Sequence, residues 1–404
     1  MAEAQSSRIH PKGVAQTSLQ AEIEAAAHEL GFALVGFAPL RRLPREDFYA
    51  QWLAEGRPGD MAYLARDPER RLDPRRLDPH LRAVISLAFP YQAPGPPPLT
   101  DWRTSLRGRI ASYALGPDYH LVVLERARAL AAEVQRLRPG AQARVYVDTG
   151  PVLEREWGRE SALGWFGRNT NLINRAQGSY FFLSEIFTDL PLEGPQRDYG
   201  EFCGRCTRCL NRCPTGALAQ GYRIEPRLCI SYLTIELRGP IPVHLRSALG
   251  NWVFGCDICQ EVCPWNESNG TSYDQLNPSL PELLRLDDAG FRQRFARSAI
   301  KRAKRRGLLR NVAVALGNSC NPAAVEVLAE SLRTEAEPLV RAHAAWALGN
   351  LGGVSAQRTL SKAARLESDF AVAEEIAAAL RALPSANRAA PRPATCQGLK
   401  GDQN

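Results

Sequence analysis

Cys203-x2-Cys206-x2-Cys209-x3-Cys213-Pro214 is a run of four thiols at the spacing of bacterial ferredoxins. Three closely spaced thiolates converge on one iron-sulfur cube, and the fourth, carried past the turn by three residues and a proline, points to a neighbouring cluster. A second half follows in altered form: Cys256-x2-Cys259-x3-Cys263-Pro264 supplies three thiols, and Cys229, upstream, supplies the fourth. By the crossed logic of the motif, one [4Fe-4S] cluster takes Cys203, Cys206, Cys209 and Cys263, and the other takes Cys213, Cys229, Cys256 and Cys259. Two structural zinc sites are the alternative, since thiolate quartets also suit tetrahedral zinc, although zinc sites usually pair two separated C-x2-C knuckles. Cys320, in a helical repeat, and Cys396, near the C-terminus, read as ordinary free thiols.

Two adjacent clusters pass single electrons without choosing a substrate, so an acceptor site must lie elsewhere. The strand Ala143 to Val147 leads into Asp148-Thr149-Gly150-Pro151, with a helix expected from about Val152. An acid at the carboxyl end of a strand lies where α/β domains place ligands, and a buried carboxyl has its pKa raised and can hold a proton for delivery. An aspartate before a helix is also a common cap. The turn Gly164-Trp165-Phe166-Gly167-Arg168-Asn169-Thr170-Asn171 could bring backbone amides and Arg168 against a phosphate or an amide-bearing cofactor, although it has no P-loop or dinucleotide pattern. His120 is either a ligand or proton relay, or a half-buried histidine with its hydrogen bonds satisfied.

The 404 residues are 45% hydrophobic and 23% charged, enough for two to four domains with their own cores, which excludes disorder throughout and a small disulfide scaffold. Eight of the ten cysteines lie between Cys203 and Cys263, which argues for a reducing compartment. The first 20 residues are polar, and the longest early apolar stretch, Gly31 to Leu40, is too short to span a bilayer, so a soluble cytoplasmic protein with no membrane partner is expected.

The fold class expected is α+β multidomain: an α/β domain over 17–195, a ferredoxin-like two-cluster domain over 196–275 and HEAT-like helical repeats over 276–385, flanked by loose tails at 1–16 and 386–404. Ser18 caps a first helix, Phe32 to Phe37 and Ala83 to Phe89 are strands, and Pro94 to Pro98 is a stiff loop. Tyr119 to Leu137 is an amphipathic helix with Leu121, Leu124, Ala127, Leu130, Ala131, Val134 and Leu137 on its apolar stripe. Tyr180 to Phe187 is another strand. Ala-Leu-Gly-Asn recurs at 315–318 and 347–350, 32 residues apart, as helix-pair repeats do, each glycine reading as a helix end.

The formal charge is +8, and Phe291 to Arg310 alone carries nine basic residues and no acid, so the rest of the chain is close to neutral. That segment has the footprint of a polyanion site. On a helix from about Phe291 to Arg306, Phe291, Phe295 and Ile300 would face inward, leaving Arg294, Arg297, Lys301, Arg302, Lys304, Arg305 and, beyond it, Arg310 for phosphates.

Taken together, several motifs in order resemble the epoxyqueuosine reductases, cobalamin- and iron-sulfur-dependent enzymes of tRNA modification. They are Tyr113-Ala114-x2-Gly-Pro-Asp118-Tyr119-His120, Tyr146-Val147-Asp148-Thr149-Gly150-Pro151-Val152-Leu153-Glu154-Arg155, Gly164 to Thr170, the eight cysteines, Cys229-Ile230-Ser231-Tyr232-Leu233-Thr234 and Leu309-Arg310-Asn311. The resemblance implies that the first domain binds cobalamin, that two [4Fe-4S] clusters feed it electrons from an unidentified donor, and that the basic repeats hold tRNA bearing epoxyqueuosine. The reaction it implies converts epoxyqueuosine at the wobble position to queuosine, the last step of queuosine synthesis, and a monomer is expected. Asp148 matches the family's acid over the cobalt, its proton donor, and Arg71, Tyr113, His120, Arg168 and Asn169 fall in motifs that line the corrin. Arg168 stands where the family commonly has lysine, which keeps the charge and changes the geometry. Three other classes remain: a cobalamin-dependent reductase of a small molecule resembling the reductive dehalogenases, a plain electron-transfer protein, and a tRNA-binding chaperone.

Overall fold

The computed structural model describes residues 18–92, 101–195, 199–266 and 277–383; the expected loop at Pro94 to Pro98 and both tails lie outside them. Among the described residues the strands are β1 (Leu34–Pro39), β2 (Ala83–Pro90), β3 (Arg109–Ile110), β4 (Ala143–Tyr146), β5 (Trp165–Phe166), β6 (Leu172–Ile173), β7 (Phe181–Thr188) and β8 (Trp252–Phe254). The main sheet has the order β1-β2-β7-β4. Helices and strands alternate along the chain as expected, yet every pairing in this sheet is antiparallel. The connections carry each strand back across the sheet, so alternation alone does not impose the parallel pairing of a doubly wound fold.

Apolar residues of β2 and β7 point to both faces. On one, Ile85, Leu87 and Ile186 pack with Ile23 and Ala27 of the helix Leu19–Glu29 and with Val123, Ala127, Leu130 and Val134 of the helix Tyr119–Leu137. On the other, Val84 and Phe187 pack with Leu43, Leu72 and Trp157. The long helix spans the expected residues but is rotated, so that Val123 is buried while Leu121 is half exposed. Asp118 caps its start by accepting from His120 N–H at 3.2 Å.

The helices Lys304–Asn318, Ala324–Thr334, Pro338–Leu351, Gly353–Ala363 and Phe370–Ala382 form the repeats. The repeated glycines lie in the last turn of their helices, which end at Asn318 and Leu351, and a Cβ on Gly317 would stand 2.9 Å from Ala347 and one on Gly349 2.8 Å from Ala379. They let neighbouring helices approach closely. The basic stretch is broken into a helix Asp288–Phe295, a 3-10 turn Ala299–Ala303 and a new helix whose first residue, Lys304, has φ +62°. Phe291, Phe295 and Ile300 are buried as expected.

The repeats share their core with the rest of the chain, since Leu106, Ile110, Val253 and Phe254 belong to it, and β3 pairs in parallel with β8. Cys320 is held in a disulfide rather than free, and Cys396 lies outside the described residues. No helix among the described residues is long and apolar enough to cross a membrane.

Candidate active site and cysteine centre

Asp148 follows the end of β4 with φ +55°, a left-handed conformation that aspartate tolerates better than most residues. The next helix starts only at Glu154, so Asp148 does not cap it. Instead the Glu154 carboxylate accepts the Asp148 backbone N–H and fixes the bend. A Cβ on Gly150 would stand 2.3 Å from the Tyr146 ring, which keeps the loop tight against the strand end.

The Asp148 side chain turns to His120. His120 Nε2 is 2.9 Å from Asp148 Oδ2 and its Nδ1 is 2.7 Å from Asp118 Oδ1, while the Lys301 ammonium donates to Asp118 Oδ2 at 2.6 Å. The chain of charges is therefore cation, carboxylate, imidazole, carboxylate. Partial burial opposes charge on His120, but the two carboxylates outweigh it and hold the imidazole above its ordinary pKa. Burial likewise pushes Asp148 up, and is outweighed by His120 and the Tyr119 hydroxyl, so its carboxyl lies below the usual range. The proton expected on Asp148 thus rests on His120, one hydrogen bond away. Asp118, almost wholly buried, is held down by Lys301 and His120 against the cost of its burial.

Protein surrounds Asp148 on most sides, yet its side chain is 54% exposed, which places it on the floor of an open recess. Tyr63 and Arg302 stand at the rim, with the Arg302 guanidinium 5.3 Å from the Tyr63 ring centroid and its charge felt at Asp148. One wall is aromatic: Tyr119 stacks on Phe182 at 4.3 Å, and Tyr113 packs edge-on against both. Beneath the loop, Glu185 of β7 is 0% exposed and faces Glu154, with no ion pair among the described residues. Burial pushes both up, with the Glu154 charge adding to the rise at Glu185 and the Asp148 charge taking Glu154 to about 8, so this pair keeps at least one proton at neutral pH.

Of the residues expected around a corrin, Asp148, His120 and Tyr113 gather at the recess. Arg71 lies beneath the rim, donating to the carbonyls of Tyr63 at 3.0 Å and Gly150 at 3.4 Å, with its Nε left unpartnered. Arg168 and Asn169 instead hold the cysteine loops: Arg168 donates to Gly204 O at 2.8 Å and Asn169 to Cys259 O at 3.3 Å. Asn169 is 3% exposed. Asp118, Tyr119, Glu154 and Glu185 were missed as site residues. The first two adjoin His120 in its motif, a signal that could have found them, whereas nothing local distinguishes Glu185 from other strand residues.

The eight clustered cysteines are free thiols. Burial raises the Cys209 thiol and the Cys263, Cys203 and Cys206 thiols add to it, while Cys229 adds to the rise at both Cys256 and Cys259, and Cys259 also senses Cys209 across the two expected sets. The loop of the second set packs into the first domain. Asp257 accepts from Ser112 N–H at 2.7 Å, and a Cβ on Gly255 would meet Ala111 at 2.5 Å.

The basic residues divide. Arg292, Arg294, Arg297 and Lys304 are exposed and in no ion pair among the described residues, and the Arg297 carbonyl accepts from Asp118 N–H at 2.9 Å, beside the recess. Lys301 and Arg302 are exposed but pair with Asp118 and Glu236. Two expectations fail. Arg310 is 0% exposed and donates to the carbonyls of Leu233, Leu237 and Gly239, because its helix packs inward. Arg305 is clamped on Glu335 and Leu286 O, which leaves it little surface for a phosphate.

Three family models match: "Epoxyqueuosine reductase QueG, DUF1730" over residues 71–149, "4Fe-4S double cluster binding domain" over 202–266 and "HEAT repeats" over 294–381. The chain is 40% identical over 352 residues to the epoxyqueuosine reductase of Xanthomonas campestris, covering 83% of this chain and 97% of that one. It is 40% identical over 346 residues to the epoxyqueuosine reductase of Pseudomonas aeruginosa, covering 83% and 95%. A crystal structure of an epoxyqueuosine reductase with an epoxyqueuosine-modified tRNA-Tyr stem loop superposes with a TM-score of 0.83 at 27% identity, covering 90% of this chain and 98% of that one.

Proposed function

Because the chain belongs to the epoxyqueuosine reductase family, we propose that it reduces the epoxide of epoxyqueuosine at the wobble position of tRNA to the alkene of queuosine, using cobalamin at the Asp148 recess and two [4Fe-4S] clusters. The observation that carries the reading of the site is the Lys301-Asp118-His120-Asp148 chain, which ends at a carboxylate open to solvent on the recess floor.

Releasing the epoxide oxygen as water takes two electrons and two protons. When bound, the clusters supply electrons one at a time and cobalamin supplies a reduced metal centre. The residues suit both groups. Eight free thiols at the spacing of a double-cluster motif are enough for two clusters of four ligands each, and the recess offers a flat aromatic wall with the buried, unpartnered Nε of Arg71 beneath its rim as a donor for a polar edge group.

His120, charged between two carboxylates, passes its proton across the 2.9 Å hydrogen bond to Asp148 Oδ2, which then donates it to the departing oxygen. Asp118 orients the imidazole, and Lys301 and the helix start orient Asp118. The Glu154–Glu185 pair keeps a further proton beneath the same loop. Arg292, Arg294, Arg297 and Lys304 offer cations to tRNA phosphates, and the Tyr63 ring with Arg302 offers a platform for a splayed base.

The test is anaerobic loading with iron, sulfide and cobalamin, then incubation with epoxyqueuosine-containing tRNA and a strong reductant. Queuosine should appear in digested nucleosides by mass spectrometry; a fully loaded chain that leaves epoxyqueuosine intact overturns the reading.

A further inference from the structure

All eight thiols are part-buried, and the loops that carry them differ in their surroundings. The loop of the second set is tied inward through Asp257, Gly255 and the Cys259 carbonyl. The first lies along an outer loop in which Gly204, Arg205, Arg208, Asn211 and Arg212 are exposed. Each of these arginines directly precedes a cysteine: Arg205-Cys206, Arg208-Cys209 and Arg212-Cys213. From Phe202 to Ile224 there is no acidic residue, and none of the three guanidinium groups makes an ion pair, hydrogen bond or ring contact among the described residues. Arg42, Arg285 and Arg302 on the surface each meet a carboxylate, and Arg292, Arg294 and Arg297, which do not, lie in the separate basic segment beside the recess. Three unpaired cations on one exposed loop, Arg205 and Arg208 beside ligands expected for the first cluster and Arg212 beside Cys213 of the second, form a positive field at the point where electrons can enter, and such fields raise encounter rates with oppositely charged partners.

We propose that the Arg205-Arg208-Arg212 face is the docking surface for a small acidic one-electron carrier protein, with electrons entering at the outer cluster and leaving by the inner one. Each encounter oxidises one carrier and reduces one cluster by one electron, and two encounters meet the two-electron demand of one epoxide. The proposal rests on the two-cluster reading and is independent of the tRNA chemistry.

The test uses the cluster-loaded enzyme and, as probe, an acidic plant-type [2Fe-2S] ferredoxin. The Kd of the labelled, oxidised ferredoxin is measured by fluorescence anisotropy as salt is raised, and the rate at which the reduced form bleaches the clusters is followed by stopped flow. In Arg205→Glu/Arg208→Glu/Arg212→Glu, Kd should rise and the bleaching rate fall at least ~10-fold at low salt, with the difference shrinking as salt screens the charges. The all-lysine triple variant should stay within about threefold of wild type. Reduction by dithionite, iron content and Kd for a tRNA stem loop should be unchanged. If the triple reversal loads poorly, Arg208→Glu alone decides, with an expected change of about threefold. Unaltered ferredoxin binding in the reversed variants overturns the proposal. A rise in stem-loop Kd with ferredoxin binding intact also overturns it and makes this an RNA face, and a shifted cluster potential with ferredoxin binding intact reduces the arginines to charge balance.

Discussion

His120 and His343 each bond through both ring nitrogens, and the difference between them separates the recess from the repeats. His343 is 0% exposed, with Nδ1 2.7 Å from Leu339 O and Nε2 accepting from Ile241 N–H at 3.1 Å. Burial, helped by the Arg246 charge, pushes its pKa well below the ordinary value, so it stays neutral. His120 lies between two carboxylates at an open recess and is held charged. Arginine divides the same way: Arg310 serves three backbone carbonyls in the interior, while Arg302 faces Glu236 and Tyr63 at the rim. A polar side chain tied to backbone groups in the interior fixes packing; one tied to other titratable side chains at a water-facing surface can exchange protons.

The comparison predicts that a change at Asp148 alters rate and one at Arg310 alters stability. Asp148→Asn keeps the shape and removes the transferable proton, so single-turnover reduction should fall by about 10²–10⁴-fold, with cluster and corrin content and unfolding midpoint unchanged. A fully active variant would remove Asp148 from the donor role. Arg310→Met should do the reverse. It leaves three buried carbonyls without a donor and should cost about 3 kcal/mol in urea unfolding, with turnover per folded molecule preserved. Loss of tRNA affinity without loss of stability would restore Arg310 to the RNA surface.

Local pattern separates these roles only in part. The cysteine spacing carries its chemistry because cluster ligands must come from a short loop, and the long helix was legible from period and cap. Arg310 was misread because a charge run looks alike whether its helix faces solvent or the cluster domain; the burial of Asn311, bonded to Thr234 O and Val253 O, settles that face and is a long-range fact. The single helix expected over the basic segment failed for a related reason, since the chain turns at Ser298 and Lys304 to seat Ile300 and Ala303 in the shared core. Asp118 reads locally as a cap, and it is one, but its other oxygen meets Lys301, 183 residues away.

The exposed cations give a smaller effect and sharpen the same division. Arg294→Ala/Arg297→Ala/Lys304→Ala removes three unpaired charges and should weaken stem-loop binding about 10- to 100-fold at low salt, reducing the slope of log affinity against log salt by roughly two to three. Arg305→Ala should leave that slope unchanged, because its guanidinium is already clamped on Glu335. An equal change in slope from Arg305 would mean that the clamp opens on tRNA.

His120→Gln should have the smallest effect, about 10-fold in rate, with its signature in pH. Facing His120 are Asp118, Asp148 and the Tyr119 ring from the first domain, with the Lys301 charge beyond Asp118. Because His120 is raised above 6.5, its protonated form persists to higher pH than that of an ordinary imidazole and is lost as pH rises through the raised value. Asp148 is lowered, so it remains an ionised acceptor over the same range. The wild-type single-turnover rate should therefore be level below the raised value and fall on the alkaline side, and glutamine, which can keep one hydrogen bond but carries no proton, should lower the plateau and abolish that limb. Stability follows the same sign: the contribution of the charged histidine is fully present below about 6.5, the unfolded value, and fades as pH rises through the folded one. The wild-type advantage over His120→Gln in urea unfolding should shrink as pH rises, and an alkaline limb that survives in the variant would assign the titration to Glu154, pushed up to about 8, instead.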